Sequence, residues 1–156
     1  MKPGQDGISG GLVVTAPTGP AIQSIQGPIR LTLIQPWVGF FVSEGDVFAM
    51  GFSSVAIPTD GRDTSILFND LSVGVVVYRS PTDFISYIAP MAEAHLTTPL
   101  DNRGDHALLS VPDLLVLTGG VQFGFGPASL ALGIATPVTG PRIYKYEAFA
   151  QLNFRY

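Results

Sequence analysis

The sequence contains no cysteine, which excludes a disulfide framework, thiolate catalysis and cysteine-ligated zinc. It is also poor in charge, because Asp, Glu, Lys and Arg make up 13% of the 156 residues, against about 25% in ordinary soluble proteins. The net charge of -4 comes from scattered residues without a basic stripe, so nucleic acid is not an expected partner. Little charge at an ordinary apolar content predicts a large surface that does not face water.

The N-terminal segment MKPGQDGISGG lacks the apolar core of a secretory signal. An exported protein with this sequence would therefore be a mature form or a fragment with an added Met1. Eighteen Gly and thirteen Pro residues are spread along the chain. They oppose long helices and favour many short elements separated by turns.

The last thirteen residues alternate between two parities. One parity is apolar or aromatic and comprises Tyr144, Tyr146, Ala148, Ala150, Leu152, Phe154 and Tyr156. The other comprises Lys145, Glu147, Phe149, Gln151, Asn153 and Arg155, of which only Phe149 departs from polar character. A period of two predicts a strand with two unlike faces, and this length fits a membrane-spanning strand of about 9–11 residues. A half-exposed strand of a soluble sandwich would alternate in the same way.

Residues 114–141 contain no charged residue, but their glycines and prolines oppose a transmembrane helix. The segment instead predicts a hairpin that turns at Gly126-Pro127. Bulky and small or polar residues alternate in its first half, which suits a strand between lipid and a crowded barrel interior.

A repeat of proline-containing strand exits supports the same architecture. Pro17, Pro58, Pro99 and Pro137 are separated by 41, 41 and 38 residues, which indicates a repeating β-hairpin unit. Four hairpins predict an all-β, antiparallel, up-and-down transmembrane barrel of about eight strands in a single domain, residues 1–156. The predicted strands are Ile8–Ala16, Ile29–Ser43, Val47–Ile57, Ser65–Tyr78, Phe84–Thr98, Ala107–Phe125, Ser129–Pro137 and Tyr144–Tyr156.

Tight turns are predicted at Glu44–Asp46, Arg79–Asp83 and Gly126-Pro127, with longer polar loops at the opposite end of the strands. Pro36, Pro90 and Pro112 cannot donate to a strand ladder, so we expect bulges or strand ends there.

The segments GDVFAMGFSSVAIPTDGRDTSILFNDLSVGVVVYRS, YIAPMAEAHLTTPLDNRG and LLVLTGGVQFGFGPASLALGIATPVTGPRIYKYEAFAQLNFRY resemble uncharacterised outer-membrane barrel proteins of planctomycete-type bacteria. The resemblance extends from about Gly10 to the last residue. It implies an outer-membrane barrel without an assigned activity, and a final strand that outer-membrane assembly machinery reads. Because members of that group tend to be longer, it also implies the C-terminal part of a larger barrel.

Glu93 and His95 are the residues that suggest chemistry, since positions two apart on a strand share a face and would suit a metal or an acid–base pair. We favour a pairing with other polar groups of a barrel interior, for which Arg30 and Arg155 are candidates. The predicted interior polar residues are Arg30, Glu93, His95, Glu147, Gln151, Asn153 and Arg155.

Other motifs predict no catalytic residue, metal or cofactor. Calcium at Asp101–Asp105 is opposed by Arg103 and by the lack of a closing acidic ligand, and the adjacent His106 is explained by a polar loop. The glycine-rich segments lack the Lys-Ser/Thr of a phosphate loop, and no serine has a GxSxG setting. The predicted interfacial aromatic residues are Trp37, Phe40, Phe41, Tyr144 and Tyr156, with a ligand stack as the alternative for the first three.

These patterns together predict a non-enzymatic integral protein of the bacterial outer membrane, with a structural, anchoring or porin-like transport role. Its expected partners are the lipid bilayer, the assembly machinery and, as a homo-oligomer, further copies of itself. One alternative is a soluble β-sandwich or jelly-roll subunit of a self-assembling coat. Another is a soluble ligand-carrying barrel, which would turn its apolar parity inward.

Overall fold

Regular secondary structure in the described part of the chain consists of strands only. The computed structural model describes residues 6–18, 22–24, 27–29, 32–103, 112–140 and 144–154. Its strands are β1 (Gly7–Thr15), β2 (Ile22–Ser24), β3 (Gly27–Ile29), β4 (Leu33–Glu44), β5 (Val47–Pro58), β6 (Ile66–Val75), β7 (Tyr78–Arg79), β8 (Tyr87–Pro99), β9 (Leu114–Phe125), β10 (Ala128–Pro137) and β11 (Glu147–Phe154).

Nine of these strands form one antiparallel sheet in the order β1-β4-β5-β6-β8-β9-β10-β11, with β7 paired to β8, while β2 and β3 form a separate hairpin. Each long strand pairs with the next long strand along the chain, so the predicted all-β, up-and-down architecture is confirmed. Within the described residues, β1 pairs only with β4 and β11 only with β10. The sheet therefore has two free edges, and the predicted closure into a barrel is not shown.

The eight predicted strands correspond to the eight long strands, with boundary shifts of up to about three residues apart from the following larger differences. Ile29 belongs to the short strand β3, and β4 begins only at Leu33. The strand predicted from Ala107 is seen from Leu114, since residues 104–111 lie outside the described part of the chain. The hairpin of β2 and β3 falls largely in a segment that we predicted as a loop.

The connection between β6 and β8 is longer than the predicted tight turn at Arg79–Asp83. Gly74 lies opposite Met91, whereas Tyr78 lies opposite Ile88, so one extra residue is inserted between β6 and β7. This insertion is a β-bulge beside Pro90, which lacks the amide hydrogen that a regular ladder needs. The bulge expected at Pro36 is absent, because the β4–β5 register is the same on both sides of that residue.

The connections differ between the two ends of the sheet. At one end, here called the turn end, Gly45 and Gly126 each open a two-residue turn with φ of 61°. A positive φ at the first turn position is typical of a type II′ hairpin, which favours glycine there. The opposite end, here called the loop end, carries connections that are all longer than these two turns. Pro58, Pro99 and Pro137 are the last residues of β5, β8 and β10 at this end, which confirms the repeat for those hairpins.

The two faces of the sheet differ in chemistry. The face that carries Asp70, Glu93, His95 and Glu147 is called the polar face, and the opposite face is called the apolar face. On the described strands, Glu44 beside a turn is the single charged side chain of the apolar face. The buried side chains of the strands lie on the polar face, among them Phe48, Ser54, Ser72, Ala89, Thr118 and Ala135.

Aromatic rings lie over glycines that stand directly opposite them on the neighbouring strand. A Cβ atom at Gly74 would approach the Phe48 ring to 2.3 Å, and one at Gly124 would approach the Tyr87 ring to 2.1 Å. Each ring fills the space that the glycine leaves, which joins adjacent strands through packing as well as through the ladder. The pairs are Trp37 with Gly11, Phe40 with Gly51, Phe48 with Gly74, Tyr87 with Gly124 and Phe149 with Gly133.

Candidate functional site

A cavity of about 550 Å³ contains Asp70, Ser72, Glu93 and His95 of the polar face. Residues of β1, β4, β5, β6 and β8 line this cavity. Its walls combine aromatic rings with acidic groups, because Trp37 stacks on Phe52 with ring centroids 5.9 Å apart while Asp70 and Glu93 stand on the next strands.

His95 is held between two carboxylates in this cavity. Strand pairing places His95 opposite Asp70, and its Nδ1 lies 2.8 Å from Asp70 Oδ1. Glu93, two residues earlier on the same strand, brings Oε2 to 3.3 Å from His95 Nε2. Ser72, the residue opposite Glu93, donates its hydroxyl to Glu93 Oε1 at 3.5 Å. Period-2 geometry and register together thus assemble four polar side chains from two strands.

This arrangement satisfies polar groups and does not resemble a catalytic relay. Both ring nitrogens of His95 are engaged by carboxylates, so neither points freely at a metal or at a substrate. The Ser72 hydroxyl contacts Glu93, so it is not lined up for activation by the imidazole. Across the described residues, no three His, Cys, Asp or Glu side chains are placed to hold a metal ion.

The interior residues predicted from the sequence divide into two groups. The structure places Glu93, His95, Glu147, Gln151 and Asn153 on one face, as the parity of the chain predicted. Arg30 and Arg155, the predicted ion partners, lie outside the described residues. Sequence reasoning missed Asp70, which is the observed partner of His95.

Further hydrogen bonds connect neutral side chains along the polar face. Gln35 Nε2 donates to Ser54 Oγ at 3.0 Å, and Gln122 Nε2 donates to Ser129 Oγ at 3.2 Å. Gln151 Nε2 donates to Asn153 Oδ1 at 2.9 Å on the edge strand β11. On the described strands, Arg79 of β7, opposite Tyr87 at the turn end, is the single Lys or Arg of this face, and its guanidinium lies 3.2 Å from Asp46 Oδ1.

A second cavity of about 270 Å³ shows how strongly the sheet curls around the polar face. Met50 of β5 and Asn153 of β11 line the same cavity, although four strands separate them in the sheet. Five strand spacings of about 4.8 Å would hold them about 24 Å apart in a flat sheet. Glu93 reaches this cavity as well as the first one, so the two cavities are neighbouring parts of one curved interior.

The predicted aromatic residues do not share one face. Phe40 lies on the apolar face and is 41% exposed, whereas Trp37 and Phe41 lie on the polar face. Neighbouring residues of a strand point to opposite sides, so Phe40 and Phe41 cannot belong to one girdle. Tyr144 precedes β11, and Tyr156 lies outside the described residues.

A different set of aromatic residues collects at the turn end of the apolar face. Phe84 contacts Phe125 with ring centroids 5.2 Å apart. Phe125 stands opposite Ala128, which in turn stands opposite Phe154. Phe84 and Phe154 are 84% and 67% exposed. Phe84, Phe125 and Phe154 all lie beside predicted strand ends, and this position in the sequence could have predicted the cluster.

At the loop end, the carboxylate of Asp101 connects two loops. Asp101 accepts hydrogen bonds from the Ser65 amide (2.7 Å) and from the Ser65 hydroxyl (2.8 Å), and these bonds lower the pKa of Asp101 below its ordinary value. Asn102 donates its side-chain amide to the carbonyl oxygens of Gly61 and Asp63. Asp101 therefore joins two loops in the segment considered for calcium, while Asp105 and His106 lie outside the described residues.

Residues Asp60 to Asp63 form a turn in the connection between β5 and β6. The Arg62 guanidinium and amide both donate to Asp60, which lowers the pKa of Asp60 to about 2. The hydrogen bond from the Asp63 amide to the Asp60 carbonyl oxygen closes the turn.

Within the described ranges, no helix combines the length and apolar character needed to cross a bilayer. No protein-family model, curated protein or solved structure matches the chain. The resemblance to planctomycete-type barrel proteins therefore stays a prediction.

Proposed function

We propose that the chain is an integral β-barrel protein of a bacterial outer membrane, with its apolar face in lipid and an anchoring role. The observation that carries the proposal is the exposed apolar face, which has no charged side chain between its strand ends. Leu71, Ile134 and Leu152 are 52%, 59% and 57% exposed on it. Of the exposed large apolar side chains on the eight long strands, all but Val13, Phe52 and Phe149 lie on this face.

The area of the apolar face exceeds that of the apolar patches which soluble monomers usually expose to water. Eight strands about 4.8 Å apart and about 30 Å long present roughly 1,100 Å². The largest apolar patch of a soluble monomer usually covers about 300–600 Å². A hydrocarbon environment removes this conflict, because exposure of the face to lipid replaces exposure to water.

The height of the face suits a bilayer. From Leu115 to Phe125 the apolar residues of β9 extend over ten residue steps, or about 33 Å along the strand. At a tilt of about 40°, this length gives a height near 25 Å, the value typical of the apolar band of outer-membrane barrels. The cluster of Phe84, Phe125 and Phe154 at the turn end then lies where interfacial aromatic residues are found.

Two polar side chains in the middle of the apolar face are paired with each other. Ser53 Oγ donates to Asn69 Oδ1 at 2.8 Å, and the two residues stand directly opposite each other on β5 and β6. A paired hydroxyl and amide cost far less in hydrocarbon than two unpaired groups.

Anchoring is favoured over conduction by the content of the polar face. Trp37, Phe41, Phe48, Phe52 and Phe149 all project from it. The interior of an eight-stranded barrel is just wide enough to be filled by side chains. Rings of this size therefore leave no wide aqueous path, and a porin-like role would need further strands. The free edge of β11 is the element that assembly machinery would engage.

Two single-tryptophan reporters test the orientation. Trp37, the only tryptophan, reports on the polar face, whereas Phe40→Trp combined with Trp37→Phe reports on the apolar face. After refolding into vesicles with brominated acyl chains, we expect strong fluorescence quenching of the reporter at position 40 and weak quenching of Trp37. The two positions lie about 10 Å apart along the strand, so Val38→Trp in the same background, one residue from Trp37, is the depth-matched reporter.

Equal quenching of both reporters would contradict the proposed orientation. As a second readout, the folded protein should migrate differently in unheated and heated gel samples only after refolding in detergent. Val38→Trp in the Trp37→Phe background replaces the first apolar-face reporter if Phe40→Trp does not fold, since Val38 is 49% exposed on the same face.

A coat-forming soluble subunit is the second candidate, and the free edges of β1 and β11 favour it. Edges with unpaired amides and carbonyls pair readily with other chains. If the chain is such a subunit, the protein should fold in plain buffer and form ordered assemblies without lipid. Analytical ultracentrifugation before and after detergent addition separates the two candidates.

A further inference from the structure

One row of directly opposed residues crosses all eight long strands on the polar face. The row can be followed from pair to pair through the seven ladders of the sheet. Its members are Gly7, Phe41, Met50, Ser72, Glu93, Thr118, Ala135 and Glu147.

This row runs obliquely from one end of the sheet to the other. Gly7 is the first residue of β1 and lies at the turn end, whereas Glu147 is the first residue of β11 and lies at the loop end. If the row continued from β11 onto β1, it would meet β1 at its loop end, where Thr15 is the last residue.

We propose that the two free edges pair with each other within one chain, with Thr15 opposite Glu147 and Ile8 opposite Phe154. The pairing rests on the proposed barrel and names the register that closes it. Thr15 lies eight residues beyond Gly7, so the closed sheet has a stagger of eight residues.

The register is supported by the faces of the two strands. An even stagger is required, because an odd one would place polar-face residues of β11 beside apolar-face residues of β1. With a stagger of eight, Ser9 meets Asn153 on the polar face, and Leu12 meets Ala150 on the apolar face. All eight residues of β11 gain a partner within strand β1 (Gly7–Thr15), which no other even stagger provides.

The geometry of closed sheets gives an independent check. An eight-stranded barrel with a stagger of eight has a strand tilt of about 36°. Closed sheets typically tilt by about 35–45°. A stagger of six would reduce the tilt to roughly 29° by the same proportionality, which lies outside that range, whereas a stagger of ten would give about 43°. The tilt therefore excludes six, and the pairing within β1 selects eight over ten.

The curl of the sheet already brings both edges round the same interior. Ser9 of β1 lines the first cavity together with His95 of β8, and Asn153 of β11 lines the second cavity together with Met50 of β5. Each edge has thus turned towards strands that lie four or five positions away, which is the direction that closure requires.

Engineered disulfides in this cysteine-free chain test the register. Leu12→Cys is combined in turn with Ala148→Cys, Ala150→Cys and Leu152→Cys, which correspond to staggers of six, eight and ten. Directly opposite Cβ atoms lie about 4.5–5.5 Å apart and diagonal ones further away, so disulfide geometry discriminates between them. After refolding in detergent and mild oxidation, we expect an intramolecular disulfide, seen as a mobility shift on a non-reducing gel, with Ala150→Cys.

Leu12→Cys with Phe149→Cys is the matched negative control, because these side chains would point to opposite faces. Ser9→Cys with Asn153→Cys repeats the positive test on the other face, so the result does not depend on one type of ladder position. A disulfide that forms chiefly with Ala148→Cys or Leu152→Cys would overturn the register. So would the absence of any intramolecular disulfide.

The outcome can be separated from that of the proposed function. If brominated lipid quenches the reporter at position 40 while cysteines on β1 and β11 cross-link only between two molecules, the barrel is built from more than one chain. In that case the membrane orientation stands and the intramolecular closure fails. If neither lipid quenching nor the mobility shift occurs, both proposals fail.

Discussion

At the scale of single residues, glycines set how closely the strands and their rings approach. Gly119 and Gly120 are neighbours on β9 but meet different surroundings. A Cβ atom at Gly120 would lie 2.6 Å from the Leu132 carbonyl oxygen on β10, whereas one at Gly119 would meet nothing within 4 Å. Backbone cannot move aside as a flexible side chain does, so the two positions differ in what they accept.

Gly120→Ala should therefore destabilise the protein by about 1–3 kcal/mol through overpacking. Gly119→Ala, the matched control, should be neutral or stabilising by about 0.5–1 kcal/mol, because alanine has less backbone freedom to lose on folding. Urea unfolding followed by Trp37 fluorescence measures both variants. Equal free energies of unfolding would show that β9 and β10 are not packed as closely as described.

Asp101 provides a prediction on pH. Its pKa is lowered because the Ser65 amide and hydroxyl donate hydrogen bonds to the ionised carboxylate. The stabilisation that these hydrogen bonds give is therefore fully present above the unfolded pKa of about 3.9, and it is lost as the pH falls through the lower pKa of the folded state. Ser65→Ala removes the hydroxyl donor and keeps the amide, so it should raise the Asp101 pKa part of the way to the ordinary value. Carboxyl carbon NMR titration measures the change.

Asp60 serves as the internal control in the same titration. Its pKa of about 2 comes from Arg62 and should not respond to Ser65→Ala. An equal rise in the pKa of both carboxyl groups would indicate that the substitution disturbs the whole loop and does not merely remove one hydrogen bond.

At the scale of elements, strand parity can be read from the chain while register cannot. The alternation from Glu147 to Phe154 predicted β11 and both of its faces, and Gly126-Pro127 predicted the preceding turn. His95 illustrates the limit. A turn centred on residue 81 would place His95 opposite Leu67, on the other face, because the bulge beside Pro90 is not visible in the sequence. Asp70 was missed for this reason.

The same limit explains the aromatic residues. Phe40 and Phe41 were grouped by composition, although alternation alone separates them. The rings over glycines were not foreseen, since an opposed pair such as Phe149 and Gly133 becomes apparent only when the register of β10 and β11 is known. Local patterns therefore predicted the strands, and tertiary pairing decided which side chains meet.

Depth along one strand supports a further prediction. Leu71 lies in the middle of β6 and Val75 at its turn end, both on the apolar face. In a bilayer, Leu71→Arg should cost about 2–4 kcal/mol and Val75→Arg about 0–1 kcal/mol. Reversible folding into lipid vesicles measures both. In a soluble protein each exposed position would accept arginine within about 0.5 kcal/mol, so equal small effects would contradict the membrane orientation.

At the scale of the whole molecule, ion conduction depends on whether the sheet closes into a barrel and on which side chains fill its interior. A closed sheet of eight strands whose interior holds Trp37, Phe48 and Phe52 should show no steady conductance in planar bilayers. Trp37→Ala with Phe52→Ala removes two stacked rings from the first cavity and should permit small, brief current steps. A stable open level in the unmodified protein would indicate additional strands and a porin-like role.

The chain enters β1 and leaves β11 at the turn end, whereas the loop between β5 and β6 lies a full strand length away. Gly61 in that loop is exposed, and a side chain there would meet nothing within 4 Å. In the proposed membrane orientation, an epitope inserted at Gly61 and an affinity tag placed before Gly7 would face different compartments. A protease supplied to one compartment would remove one label and spare the other, so the sheet would serve as a two-sided display scaffold.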